Sequence, residues 1–275
     1  MPEWCCESMI IPFIKCGVKV EFYSLDMREL GCKTDAILLM DYFGYSRNYQ
    51  ENLFDGVIIR DVTHSVFSSK YDDADYYFGS LRKWAGFWSG GYAYGLKKPV
   101  KYDFDNTRIL ANRKKAMEEK ASYIYGESER KDYLKRFISA ENELETVGIL
   151  EASQRDIDAA KRLDISEIRE KRRNNASVLL EEFADIAVFP NLEEEDCPMF
   201  VPIRVKERNK LRQFLIQNEI YCPIHWPISE YHKVSKEAAR LYDEEISLIC
   251  DQRYTSDDML RIISTVKQFW KDYNL

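Results

Sequence analysis

Glycine and proline are scarce, 11 and 8 among 275 residues. That excludes collagen-like and low-complexity disordered chains, which need far more of both. Positive charge is in deficit as well: 40 Lys and Arg stand against 47 Asp and Glu, a formal net charge of -7. A general nucleic-acid platform needs a basic stripe, so no nucleic-acid partner is expected. No apolar run reaches the roughly 18 residues of a membrane span, so no membrane partner is expected either. The opening Met1-Pro2-Glu3-Trp4 carries neither the basic nor the apolar region of a secretion signal. No C-x-x-C pair and no Cys/His cluster has zinc spacing, and no metal is expected. The seven cysteines, at 5, 6, 16, 32, 197, 222 and 250, are odd in number. The expectation is reduced, mostly buried thiols in a cytoplasmic protein.

What is present is core-forming material. Apolar residues make up 45% of the chain, with 18 Tyr and 14 Phe, enough for one large or two modest domains. Residues 18–22 alternate like a strand, and 36–40 and 57–59 are continuous apolar runs, as in sheets buried on both faces. Residues 9–13 belong to a helix that enters Gly17, a C-cap. Residues 75–81 form an aromatic strand. Gly90-Gly91 precedes another at 92–96. From 106 to about 185 the chain turns helical, broken at Gly126 and Gly148. Asp164-x-x-Glu167 is a capping box. Arg172 and Arg173 read as a solvated face of the following helix. Beyond the acidic loop 190–198, strands are expected at 200–203, 220–224 and 246–249, with a helix around Leu211, Phe214 and Leu215. Thr255-x-x-Asp258 opens a last amphipathic helix. The pattern predicts an α/β chain with an open, mostly parallel sheet: a large domain over 1–185 and a small α/β domain over 186–275.

Two positions draw chemical interest. Asp61 ends an apolar run, with His64 three residues later. In open α/β sheets ligands bind beyond the carboxyl ends of strands. Asp61 there pairs with a cationic ligand nitrogen, or it merely caps a turn. Lys83 follows a strand and precedes Trp84. Desolvation there lowers a lysine pKa and frees the amine for Schiff-base chemistry, although an isolated lysine is more often an ordinary surface residue. The combination changes the weight. Asp61-x-x-His64, then Ser80-x-x-Lys83, then Gly90-Gly91 is the order expected of a pyridoxal phosphate (PLP) site. That cofactor needs an amine for its aldehyde and a carboxylate for its pyridine nitrogen.

At these residues the chain resembles the DegT/StrS-type sugar-nucleotide aminotransferases, within the fold-type I PLP enzymes. The resemblance runs over nearly the whole chain. Segments 2–8 and 17–26 resemble the family's strand–helix–strand, and Tyr42-Phe43-Gly44 its next strand-end loop. Asp61-x-x-His64 resembles the cofactor motif, and residues 79–83 the Schiff-base lysine segment. Residues 220–227 and 248–254 are similar to the small domain's substrate-side strands. The resemblance implies a mostly parallel central sheet with helices on both faces and a small C-terminal domain. It implies that Asp61 holds the pyridinium nitrogen and that His64 lies against the ring or its phenolic oxygen. Lys83 carries the Schiff base and moves the proton. Ser80 and Cys6 contact the cofactor. Cys6 stands where the family has a stacking aromatic, a role Trp4 would take over. His225, Trp226 and Arg253 face the substrate.

The implied activity transfers an amino group from an amino acid, glutamate being the expected donor, to a keto-sugar nucleotide in a homodimer. A dehydratase is disfavoured, because such relatives carry His in place of the lysine. Family members carry roughly eighty further N-terminal residues, with a helix N-terminus that holds the cofactor phosphate. The chain is therefore expected to bind PLP weakly. The alternative is a truncated, non-catalytic remnant of the family.

Overall fold

A computed structural model of the chain describes residues 1–25, 34–46, 54–68, 74–98 and 106–273. Packing divides it into two units, Met1–Tyr77 with Asp164–Leu275, and Phe78–Leu163. Asp26, at the end of a segment that carries the resemblance, lies outside the described residues.

In the first unit, β1 (Ala36–Met40) and β2 (Val57–Asp61) pair in parallel, from Ala36 opposite Val57 to Met40 opposite Asp61. Ile37, Leu38, Leu39 and Met40 are all buried, so β1 shows no alternation of faces. The carboxyl ends are tied by polar contacts. The Asp41 N–H donates to the Asp61 carbonyl at 3.1 Å. The Arg60 guanidinium donates to the Asp41 carboxylate at 2.9 Å, and Ser65 Oγ donates to its other oxygen at 2.8 Å. β3 (Tyr76–Ser80) lies next to β2, which is therefore an interior strand; the last three residues of β3 and all of β4 (Gly91–Tyr94) belong to the second unit.

Helix α1 (Glu7–Lys15) closes as expected at Gly17. Gly17 has φ +73°, its N–H donates to the Ile14 carbonyl, and the Val18 N–H donates to the Phe13 carbonyl. This is a Schellman closure, which needs a left-handed residue. Later in the same unit, α5 (Ile165–Phe183) packs on α8 (Ser256–Tyr273) and on β5 (Phe200–Arg204). β5 pairs antiparallel with β6 (Glu245–Ile249). The expected caps are in place: Asp164 accepts the Glu167 N–H, and Asp258 reaches back to the Thr255 N–H. Met259, Ile262, Ile263, Val266 and Phe269 form the buried stripe of α8. α6 (Arg208–Gln217) buries Leu211 and Leu215.

The second unit holds α2 (Thr107–Ile124), α3 (Asp132–Thr146) and α4 (Gln154–Ala160). α2 and α3 pack together across the break at Gly126, which has φ +74°. The expected division at residue 185 and this division by packing cut the chain differently. α5 lies before residue 185 and packs on β5 and α8, which lie after it.

Three expectations need correction. Residues 18–22 form no strand; Tyr23 makes one isolated bridge to Pro2, flanked by backbone hydrogen bonds with Met1 and Glu3. Residues 220–224 form no strand either. The Ser247 N–H donates to the Pro223 carbonyl, and Pro223 has no N–H to return, so no ladder forms with β6. Arg172 is buried rather than solvated and donates to the Pro198 and Met199 carbonyls and to Gln252. Helix α7 (Lys236–Glu244), which Ser235 caps, was not anticipated.

Gly44 marks the tightest approach in this unit. Its φ is +82°, and an added Cβ would lie 2.0 Å from the Cys197 carbonyl oxygen. Gly17 shares the left-handed backbone, but nothing lies within 4 Å of such a Cβ. Gly17→Ala should therefore cost about 1 kcal/mol and Gly44→Ala more than about 3 kcal/mol. Chemical denaturation of the two variants measures the difference, and equal losses would show that the contact is readily relieved.

Candidate active site at the carboxyl end of the parallel pair

Asp61 is the last residue of β2 and is buried. Its Oδ1 accepts the Thr63 N–H at 2.8 Å, which turns the chain towards His64. His64 is 1% exposed, and its Nδ1 accepts the Phe43 N–H at 3.4 Å. The His64 ring stacks on Phe43 (4.9 Å, 24°) and on Trp226 (5.8 Å, 15°). His225 stands edge-on to both Phe43 and His64. The structure thus brings three expected residues, His64, His225 and Trp226, into one aromatic cluster within the first unit. Asp61 stands at the strand end that leads into it.

Trp4 belongs to the same cluster in a structural role. It is fully buried, stacks on Tyr42 at 4.9 Å and 11°, and donates from Nε1 to the His225 carbonyl at 3.0 Å. Tyr42 donates from its hydroxyl to the Trp4 carbonyl. Cys6 is the N-cap position of α1, where its sulfur lies 3.1 Å from the Ser8 hydroxyl. Burial pushes the neighbouring Cys5 thiol up to about 12, which leaves it without nucleophilic character. Cys222 and Cys250 are raised to about 12 by burial in the same way, and Cys197 to about 11. The six described cysteines are all unbonded.

Ser80 and Lys83 lie in the second unit. Ser80 ends β3 and starts a 3-10 turn, Leu81–Lys83, that leaves Lys83 exposed. The loop after Lys83 is fastened by Asp156. One carboxylate oxygen accepts the Trp88 N–H, the Ser89 N–H and the Ser89 hydroxyl, at 3.1, 2.8 and 2.7 Å. Burial raises the Asp156 carboxyl, but Ser89, Ser153 and Arg155 outweigh it and hold the group below its usual range.

No protein-family model and no curated protein sequence matches the chain. Solved structures do. An aminotransferase of Helicobacter pylori, PseC, involved in the biosynthesis of pseudoaminic acid, superposes with a TM-score of 0.67 at 15% identity, over 98% of this chain and 79% of that one. The PLP form of the putative sugar aminotransferase Spr1654 from Streptococcus pneumoniae gives 0.62 at 14% identity, over 98% and 80%. A DegT/DnrJ/EryC1/StrS aminotransferase from Brucella abortus gives 0.54 at 14%, over 96% and 68%. This chain has the fold of the DegT/DnrJ/EryC1/StrS-type sugar aminotransferases. The strand pattern predicted a mixed α/β, mostly parallel sheet, and the resemblance implied the fold-type I architecture; the fold agrees with both.

In this sugar-aminotransferase fold, several residues at the site were not singled out from the sequence. Asp41, Arg60 and Ser65 hold the strand ends, Phe43 builds the aromatic wall, and Glu245 and Ser247 hold His225. The signal for Phe43 was available, because Gly44, four residues after the end of β1, marks a tight turn. Phe43 itself has φ +51°, in the left-handed region. Arg253 is engaged locally. Its fork donates to both Asp251 oxygens, Nε at 2.9 Å and a terminal nitrogen at 2.7 Å.

Burial alone would raise the Asp251 carboxyl, but the Arg253 fork overrides it and holds the group below its usual range. A depressed carboxyl contributes stability above its unfolded pKa and loses it as pH falls through the folded one. Arg253→Ala should move that acid loss to higher pH and cost about 1 kcal/mol or less at neutral pH, because the arginine is largely exposed. Acid titration of stability in both proteins reads this, and superimposable acid limbs would contradict it.

Proposed function

We propose that the chain is a PLP-dependent aminotransferase that moves an amino group from an amino acid, with glutamate as the donor, to a keto-sugar nucleotide. The observation that carries this reading is Asp61, a buried carboxylate at the carboxyl end of an interior parallel strand, with His64 beside it, in the fold of sugar aminotransferases. The donor types suit the group: a buried carboxylate suits a protonated pyridine nitrogen, a lysine amine suits an aldehyde, and imidazole suits the ring or its phenolic oxygen. PLP supplies an electron sink for the substrate carbon when bound.

The chain's own residues then divide the work. Asp61 keeps the pyridine nitrogen protonated through a charge-assisted hydrogen bond. Lys83 Nζ holds the aldehyde, and its amine moves a proton to and from the substrate carbon. His64 orients the ring, and Ser80 and Cys6 line the cofactor side. His225 and Trp226 face the sugar. Arg253 is the planar fork that meets a carboxylate or diphosphate once it leaves Asp251. In this reading residues 1–185 bear the cofactor and residues 186–275 the acceptor side, and the protein works in the cytoplasm. It acts as a homodimer, for which exposed Tyr94 on β4, at 73% exposure, offers contact surface.

PLP added to the purified protein should give a visible band that borohydride fixes to Lys83, and Lys83→Ala should abolish it. Asp61→Ala should weaken PLP binding by about 1.5–3 kcal/mol, or roughly ten- to a hundredfold. Supplying glutamate and a keto-sugar nucleotide should then yield 2-oxoglutarate and the amino sugar. No spectral change at millimolar PLP would overturn the reading and leave a folded protein without the cofactor. Sedimentation should give a dimer, whose interface buries more than about 1,000 Å².

A further inference from the structure

His225 is held by two residues of β6. Glu245 and Ser247 stand two apart on the strand and face the same side, and both are completely buried. Glu245 Oε2 accepts the backbone N–H of His225 at 2.7 Å. Glu245 Oε1 accepts the Ser247 hydroxyl at 2.6 Å. Ser247 Oγ lies 3.1 Å from His225 Nδ1. The Arg208 guanidinium donates to the Glu245 carbonyl at 2.9 Å and brings positive charge near the buried carboxylate.

Proton accounting fixes the rest. A serine hydroxyl has one hydrogen and two lone pairs, and an ionised carboxylate only accepts. Ser247 gives its hydrogen to Glu245, so it can only accept from His225. Nδ1 therefore carries the hydrogen, and in the neutral ring Nε2 keeps its lone pair. Among the described residues no group hydrogen-bonds Nε2, and the His225 side chain retains 12% exposure. His64 is arranged the opposite way. Its Nδ1 accepts the Phe43 N–H, so its Nε2 carries the hydrogen. The two ring centroids lie 6.3 Å apart.

We propose that Ser247 and Glu245 are positioning residues that hold His225 as the Nδ1–H tautomer, so that its Nε2 accepts a hydrogen bond from a hydroxyl of the sugar substrate. The substrate class rests on the function proposed above, whereas the tautomer rests on the hydrogen bonds alone.

The chain has three histidines, so histidine-labelled protein gives a readable long-range proton–nitrogen spectrum. In the neutral range, His225 should show a protonated Nδ1 and a lone-pair Nε2, with His64 reversed. Ser247→Ala should convert His225 to a mixture of tautomers, and Ser247→Thr should restore the wild-type pattern. A wild-type His225 with its hydrogen on Nε2 would overturn the proposal, because the chain would then run from a protonated Glu245 through Ser247. If Ser247→Ala fails to fold, the wild-type spectrum still decides. UDP-glucose, used as a probe for a hydroxyl-bearing sugar nucleotide, should shift Nε2 in the PLP-loaded protein; an unmoved Nε2 would overturn the substrate contact. With turnover established, Ser247→Ala should raise KM for the sugar nucleotide about tenfold, the equivalent of one hydrogen bond, with a smaller change in kcat. A wild type with the stated tautomer but no turnover would overturn the aminotransferase reading and the substrate clause together, leaving the tautomer assignment intact.

Discussion

The buried ion pair between Arg60 and Asp41 sets the geometry from which the site is built. Arg60 sits one residue before Asp61 in β2, and Asp41 one residue after the end of β1. A buried ion pair adds little net stability, because desolvating both charges offsets most of their attraction. Breaking it is another matter: a lone buried charge costs about 3–5 kcal/mol. A one-residue slip of β2 would turn Arg60 to the opposite face and strand Asp41. The pair thus acts on register, which half-buried apolar residues such as Ile58 and Ile59 specify poorly. With the register fixed, Asp61 must end the strand where it does, and Ser65, bonded to the same Asp41, places the turn that carries His64.

From that corner the aromatic wall follows. Its rings come from far-apart stretches of sequence: Trp4, Tyr42 and Phe43, His64, and His225 with Trp226. The hydrogen bonds from Tyr42 to the Trp4 carbonyl and from Trp4 to the His225 carbonyl join these stretches at their backbones as well. Aromatic contacts add about 0.5–1.5 kcal/mol each beyond burial, and here they also orient two imidazoles without using up their ring nitrogens.

How much of this was legible in the sequence follows from the range of each signal. β1 and β2 were readable because a run such as Ile37 to Met40 has few alternatives at that length. The caps of α5 and α8 were readable because each is a contact over three residues. Segments 18–22 and 220–224 misled because a pattern that suits a strand does not supply a ladder: Tyr23 makes one isolated bridge to Pro2, and Pro223 has no N–H to return to β6. Asp61 and His64 stood out because both fall in one short motif. Glu245 and Ser247 did not, since polar residues at alternate positions ordinarily mark a solvent face. Only the fold shows β6 buried on both sides, with His225 arriving from twenty residues upstream.

The first unit therefore buries Asp41, Arg60, Asp61, His64, Glu245 and Ser247 in one part of its interior, in a chain with ample apolar residues to fill it. Each buried polar group costs roughly 1–3 kcal/mol if left unpaired, so such a cluster survives only where its hydrogen bonds are made. Both carboxylates are doubly engaged: Asp41 takes both Arg60 and Ser65, and Glu245 takes both the His225 backbone and Ser247. For stability alone, apolar residues of similar volume would serve as well or better. What the polar arrangement adds is direction, a carboxylate at a strand end and two imidazoles held by different partners. Direction of that kind matters to a bound molecule whose charge and protons must be placed. Placement of that kind is what the function proposed above asks of the site.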